Sequence, residues 1–155
     1  MGINDLAPNN KVVIRGTTVY GLNDKASLII PIAVIQHDKR ILMDALIDSG
    51  AQGNFIDTSL AHLFDTEPLL NPITVYNVDG TKNQGGTIHE ETMLKIMLDD
   101  HPFYVKAYVA NLGHQKFILG DTWLRDVNPT IDWARRSISF ERQILPKRHA
   151  AKEAL

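Results

Sequence analysis

From residue 28 onward the apolar residues come in short β-branched or aromatic runs, and each run is broken within about ten positions by a turn signal. "LIIPIAVIQ" gives way to the polar "HDKR" at 37–40, which leads into "ILMDALID" at 41–48. "TMLKIML", "PFYVKAYVA" and "QKFIL" follow at short spacing. Strands at such intervals, without the ten-to-fifteen-residue helical stretches that crossover units require, predict an all-β sandwich or closed barrel. Pro31 lacks an amide donor, so its strand is expected to be an edge or a bulge at that point.

The segments between the strands carry their own signals. In "NFIDTSLAHLF", Asp57 or Thr58 can cap a short helix whose Leu60, Leu63 and Phe64 turn inward. "ITVYNVDGTKNQGGTI" sets Asp79-Gly80 between two β-prone arms, a hairpin signal, with Gly85-Gly86 adding backbone freedom. In "ILGDTWLRDVNPTIDW", Asp121 can cap a helical turn through Trp123, Leu124 and Val127 that Pro129 does not let continue. Both Trp123 and Trp133 are expected to fill the core and the helix packing.

The chain of 155 residues is long enough for one domain with a substantial core, and no internal repeat is visible. The expected organisation is an arm at 1–25, a domain at 26–141 and a tail or linker at 142–155. Sixteen basic and eighteen acidic side chains give a net charge of -2, which offers no global attraction for nucleic acid or anionic lipid. No cysteine is present, so disulfides, thiolate nucleophiles and sulfur-ligated zinc are excluded. The longest apolar stretch, at 27–35, is too short to span a bilayer and too far along the chain for a signal peptide. A soluble, intracellular protein is expected, without a membrane or nucleic-acid partner.

The chemistry centres on "ALIDSGAQGNFID". Asp48 ends an apolar strand and is followed by Ser49-Gly50, a tripeptide that on its own is best explained as a turn. About seventy residues downstream stands "ILGDTWL". The two stretches, with the glycine-bearing hairpin between them, resemble the retropepsin-like aspartic proteases: an active-site loop of apolar residues, Asp-Thr/Ser-Gly-Ala, a hairpin, and a Gly-helix block. "ILGDTWLRDVNPTIDW" is further similar to the Ty3/gypsy type of long-terminal-repeat retrotransposon. The resemblance covers residues 26 to 140 and implies the retropepsin-like acid-protease fold, with a flap hairpin and one or two short helices.

Such an enzyme needs one ionised carboxylate to take a proton from water and one protonated carboxyl to polarise the peptide carbonyl. Two like charges at such a separation share one proton, as aspartic proteases exemplify. Only one Asp-Ser-Gly is present, since "VDGT" at 78–81 has its glycine elsewhere, so a second Asp48 must come from a second copy. The resemblance therefore implies a homodimeric aspartic endopeptidase acting on a polypeptide, its own Gag-Pol-type polyprotein, with Asp48 as the catalytic residue. It implies support from Ser49, Gly50, Ile118, Leu119 and Gly120, and peptide binding by Gly50, Ala51, Gln52 and the flap residues Val78, Asp79 and Gly80. No cofactor or metal is implied, and localisation is expected to be cytoplasmic or within virus-like particles. The alternative from another class is a domesticated dimerisation or peptide-binding module that no longer cleaves.

The chain departs from many retroviral relatives where an Asp follows the Ala and an Arg follows the later Gly. Gln52 and Asp121 stand there, and either an amide-to-carboxylate hydrogen bond or a cap without contact is expected. Asp44 is read as a solvated strand-end carboxylate, and Asp132 as an ion-pair partner of Arg135 and Arg136. The six histidines are scattered, and "HEE" at 89–91 lacks a second zinc-binding His. Ser49 lacks a nucleophile elbow and a placed base.

Overall fold

The computed structural model describes residues 6–7, 11–20, 27–76 and 82–144, with side chains described for 27–75 and 86–140. Eleven strands are found among these residues: β1 (Leu6–Ala7), β2 (Lys11–Tyr20), β3 (Leu28–Gln36), β4 (Lys39–Ile47), β5 (Asn54–Asp57), β6 (Glu67–Tyr76), β7 (Lys82–Leu98), β8 (His101–Ala110), β9 (Phe117–Leu119), β10 (Thr130–Asp132) and β11 (Ser137–Ile144). One helix, α1 (Asp121–Val127), and one 3-10 turn (Thr58–Leu63) complete the described elements.

Six strands close on themselves in the order β3, β4, β9, β5, β8, β7, because β7 also pairs with β3 through Ala33–Met97, Val34–Ile96 and Ile35–Lys95. Period-two alternation explains the closure. Leu28, Ile30, Ile32 and Val34 of β3 point inward with Ala45 and Ile47 of β4, Leu94, Ile96 and Leu98 of β7, and Phe117 and Leu119 of β9. Removing the water from both walls at once is the main stabilising term for such a barrel. Pro31 lies opposite Asp44 in the β3–β4 ladder but outside the short β3–β7 ladder, so β3 has a single strand neighbour at that point, as an edge position has.

β3 and β4 are joined by His37-Asp38, and His37 takes the left-handed backbone that this tight turn requires (φ 54°). β6 and β7 form a long hairpin outside the closed barrel, paired from Glu67–Glu91 out to Tyr76–Lys82. The arms of the expected flap are therefore in place, whereas Val78, Asp79 and Gly80 lie outside the described residues.

The 3-10 turn after β5 begins at Asp57, whose carboxylate accepts from the Ser59 amide (3.1 Å), so Asp57 rather than Thr58 is the cap. Phe64 is buried beyond the turn. α1 ends where Asn128 adopts the left-handed conformation (φ 49°, ψ 57°) and donates its N–H to the Leu124 carbonyl, with Pro129 next. Its buried face is Trp123, in edge-to-face contact with Phe103 (5.6 Å between centroids).

A second sheet has the order β1, β2, β11, β10. β2 and β11 pair antiparallel from Tyr20–Ser137 to Val12–Ile144, so residues near the two ends of the chain form one sheet, and β11 runs three residues past the domain boundary expected at 141. Ile138 and Phe140 of β11 are buried and tie this sheet to the barrel, Phe140 against Phe103 (5.4 Å). Trp133 does not fill the core as expected: it sits in the turn between β10 and β11 and is 54% exposed. The turn is instead closed by the Asp132 carboxylate, which accepts from the Arg135 amide (3.0 Å) and faces the Arg135 guanidinium (3.8 Å). Arg136 reaches the Ser27 carbonyl (3.1 Å) rather than Asp132.

Candidate active site

Asp48 follows directly on β4, and its backbone N–H donates to the Leu119 carbonyl (3.0 Å), extending the parallel β4–β9 ladder past the Ile47–Leu119 pair. The backbone then turns: the Ala51 N–H donates back to the Asp48 carbonyl (3.2 Å), and the Gly50 N–H donates to Asp48 Oδ1 (2.9 Å). The half-buried carboxylate is thus aimed by its own loop. A Cβ at Gly50 would stand 3.2 Å from Oδ1, so glycine there keeps the space beside the carboxylate open. Ser49 and Gly50 are exposed at the tip of the loop.

The downstream block lies under this loop. Ile118 pairs with Leu46 on one side and Phe55 on the other, which wedges β9 between β4 and β5. Gly120 is held so closely that a Cβ would fall 2.1 Å from the Gly53 carbonyl oxygen and 2.5 Å from that of Ala51. Two backbone bonds complete the clamp: Asp121 N–H to the Ala51 carbonyl (2.6 Å) and Thr122 N–H to the Gln52 carbonyl (3.0 Å). The first turn of α1 therefore spends its free amides on the active-site loop.

Asp121 is the first residue of α1 and not its cap; Gly120 holds the cap position without a side-chain bond. The Asp121 carboxylate faces Arg125 one turn on (3.6 Å). Gln52 and Asp121 are joined through neighbouring backbone, no side-chain hydrogen bond links them among the described residues, and Asp121 is not the cap, so neither of the two expected arrangements is found. Asp44 is exposed on β4, and no cluster of three or more metal-binding side chains occurs among the described residues.

One residue matters here that the sequence reading did not single out, and a second does more than that reading gave it. Asn54 is buried, and its Oδ1 accepts from the Gly120 N–H (3.1 Å) while its Nδ2 donates to the Lys106 carbonyl (3.3 Å). One amide side chain thus joins the active-site loop, the start of α1 and β8. The signal was present in "NFID", where Asn54 shares the inward face with Ile56, a position that strands rarely give to an unpaired amide. Asp57 does more than cap: Oδ2 accepts from the Ser59 amide and hydroxyl, and Oδ1 accepts from the Leu112 N–H (2.8 Å). Burial alone pushes its carboxyl up, but these hydrogen bonds and the Lys116 charge together hold it below the ordinary value of 3.8.

A six-stranded closed barrel, an Asp-Ser-Gly-Ala loop at its mouth, a long hairpin beside it and a Gly-helix block beneath define a retropepsin-like fold. The profile of the PEG10/RTL1 protease domain matches residues 44–148, more than half of the chain, and the chain belongs to that family. Among solved structures, the chain is similar to a retropepsin-like aspartic protease from Rickettsia conorii at 15% identity and a TM-score of 0.55, covering 86% of this chain and 96% of that one. It is also similar to the retroviral protease-like domain of Ddi1 from Leishmania major, at 21% identity and a TM-score of 0.48 over 70% of this chain and 83% of that one.

Proposed function

We propose that the chain is an aspartic endopeptidase that works as a homodimer, with Asp48 of each copy on either side of one water. The observation that carries this reading is the Asp48 carboxylate itself, oriented by the Gly50 N–H and held on β9 at the mouth of the barrel, with a single such loop per chain. A water between two such carboxylates would lose a proton to the ionised one as its oxygen bonds to the peptide carbon. The protonated partner would give its proton to the carbonyl oxygen. Collapse of the tetrahedral diol then breaks the C–N bond as a proton passes to the leaving nitrogen.

The remaining residues take supporting parts in this reading. The exposed Ser49 hydroxyl braces the loop of the second copy, and Gly50 receives the substrate backbone. Ala51 and Gln52 line the subsites. Val78, Asp79 and Gly80 close over the peptide at the end of the β6–β7 arms. Ile118, Leu119 and Gly120 set the height of the loop. The substrate is an extended polypeptide bound between loop and flap through its backbone.

The finer likeness of "ILGDTWLRDVNPTIDW" to Ty3/gypsy retrotransposon proteases supports a Gag-Pol-type polyprotein as that substrate, and a cytoplasmic or particle-enclosed site of action. Digestion of a peptide library by the wild-type chain and by Asp48→Asn tests the proposal. Cleavage by the first and none by the second is expected. A dimer on a sizing column that turns over nothing would replace the enzyme by a peptide-binding module.

A further inference from the structure

The β6–β7 hairpin is continuous with the barrel through β7. One edge of β7 pairs with β8 from Glu91 to Leu98, while its other edge is shared: β3 takes Lys95, Ile96 and Met97, and β6 takes the residues up to Glu91. Thr92, Met93 and Leu94 fall between the two and pair with neither strand. Backbone groups left open at such a handover have to be met by side chains or water.

One side chain fills the handover. Gln36, the last residue of β3, donates from Nε2 to the Met93 carbonyl (2.9 Å) and to the Thr92 hydroxyl (3.0 Å), and its Oε1 accepts from the Asp65 N–H (2.6 Å). Thr92 is 2% exposed, and its hydroxyl donates in turn to the Asp65 carbonyl (2.7 Å). Both backbone groups of Asp65, two residues ahead of β6, are thus held by side chains of β3 and β7 rather than by a ladder. Three outer contacts surround this clasp: His37 Nε2 with Asp65 Oδ2 (2.8 Å), Lys39 Nζ on the Leu63 carbonyl (2.8 Å), and the Thr66 hydroxyl on Glu90 Oε2 (2.6 Å). Those three lie in water, which can replace them, whereas the bonds made by the Thr92 hydroxyl are partly shielded from it.

The hairpin beyond its root does not fix its own direction. Between the pairs Pro68–Glu90 and Ile73–Ile88, four residues of β6 face His89 alone, and Gly86 of β7 has a left-handed backbone (φ 82°), so both arms bend near one level. We propose that Gln36 is a positioning residue for the polypeptide substrate: it clasps the root of β6 to β3 and β7 and so sets the angle of the hairpin to the active-site loop. The inference rests on the endopeptidase reading. Loss of the clasp lowers the fraction of chains whose hairpin can close on a peptide and raises KM by that factor, while the chemistry at Asp48 in the closed complex is unchanged.

Gln36→Met keeps the length of the side chain without its polar atoms, Thr92→Val keeps the shape of Thr92 without its hydroxyl, and Thr92→Ser keeps the hydroxyl. Amide hydrogen exchange of the full-length chains, free of peptide, reads the clasp without any turnover. Gln36→Met and Thr92→Val are each expected to speed exchange at Ile73, Thr74 and Val75 about tenfold, with Val34 and Ile96 of the barrel within about twofold of wild type. Thr92→Ser should exchange as wild type does. In a fluorogenic peptide assay the first two variants should raise KM about tenfold and leave kcat within about twofold. Unchanged exchange in β6, or equal acceleration of hairpin and barrel, overturns the clasp, and an unchanged KM overturns its positioning role. Wild-type chain that cleaves nothing removes the endopeptidase reading and the positioning role with it, while the exchange pattern still decides the clasp.

Discussion

Replacing Gly120 by alanine tests the contact on which the geometry of the active-site loop depends. The added methyl would lie 2.1 Å from the Gly53 carbonyl oxygen and 2.5 Å from the Ala51 carbonyl oxygen, both backbone atoms of the loop. Neither can rotate away as a side-chain tip does, so α1 and the loop must separate by about an ångström to restore a normal contact. Separation weakens the bonds that Asp121 and Thr122 donate to Ala51 and Gln52, and the one Gly120 donates to Asn54. Overpacking at about 1–3 kcal/mol together with three hydrogen bonds at about 1 kcal/mol each gives roughly 4–6 kcal/mol of destabilisation. For a chain of this size that lowers Tm by about 8–24 °C. A displacement of this order at the Asp48 carboxylate also costs about a hundredfold in kcat/KM for any cleavage the chain performs. Urea unfolding and a thermal scan of Gly120→Ala beside wild type measure the first effect, and a fluorogenic peptide assay the second. A variant that melts within about 2 °C of wild type would refute the close packing of Gly120 against the loop.

Three further outcomes follow from the same contacts. Gly53→Ala crowds the Tyr108 ring, a side chain that can swing, and meets Phe55 at ordinary contact distance, so it should cost about 1 kcal/mol or less in urea unfolding, well below Gly120→Ala. Asn54→Ala leaves the Gly120 N–H and the Lys106 carbonyl without their buried partner and should cost about 2–3 kcal/mol by the same measurement. Asp57 is more acidic in the folded chain than its ordinary 3.8, so the unfolded chain holds the extra proton in the interval below that value. Its contribution to stability is full above 3.8 and is lost as the pH falls through the lower folded value, so the urea midpoints of wild type and Asp57→Asn should differ most above 3.8 and converge as the pH falls.

Much of this was legible in the residues because strand alternation is a local property. Leu28, Ile30, Ile32 and Val34 announce a core face without help from the rest of the chain, and the two-residue turn at His37-Asp38 falls where "HDKR" puts it. The link between "LIDSGA" and "ILGDTWL" was legible only through the family resemblance, since nothing local says that Leu119 will accept from Asp48. What escaped was decided by tertiary contact. Trp133 looks like a core residue by composition, but β10 and β11 are joined by so short a turn that its indole is left outside, while Trp123 takes the space beside Phe103. Asp121 looks like a cap by its type, yet the loop carbonyl of Ala51 claims its amide and moves the cap to Gly120. Asn54 opens the strand-like "NFID", and only the approach of Gly120 and Lys106 from distant segments makes it a structural bridge.

The most direct test of the proposed pairing is the activity of mixtures of wild-type and Asp48→Asn chains at one fixed total concentration. If catalysis needs two Asp48 carboxylates from two copies, activity falls with the square of the wild-type fraction, to about one quarter in an equal mixture at free exchange. A linear fall, to about one half, would show that each chain acts alone and would contradict the account.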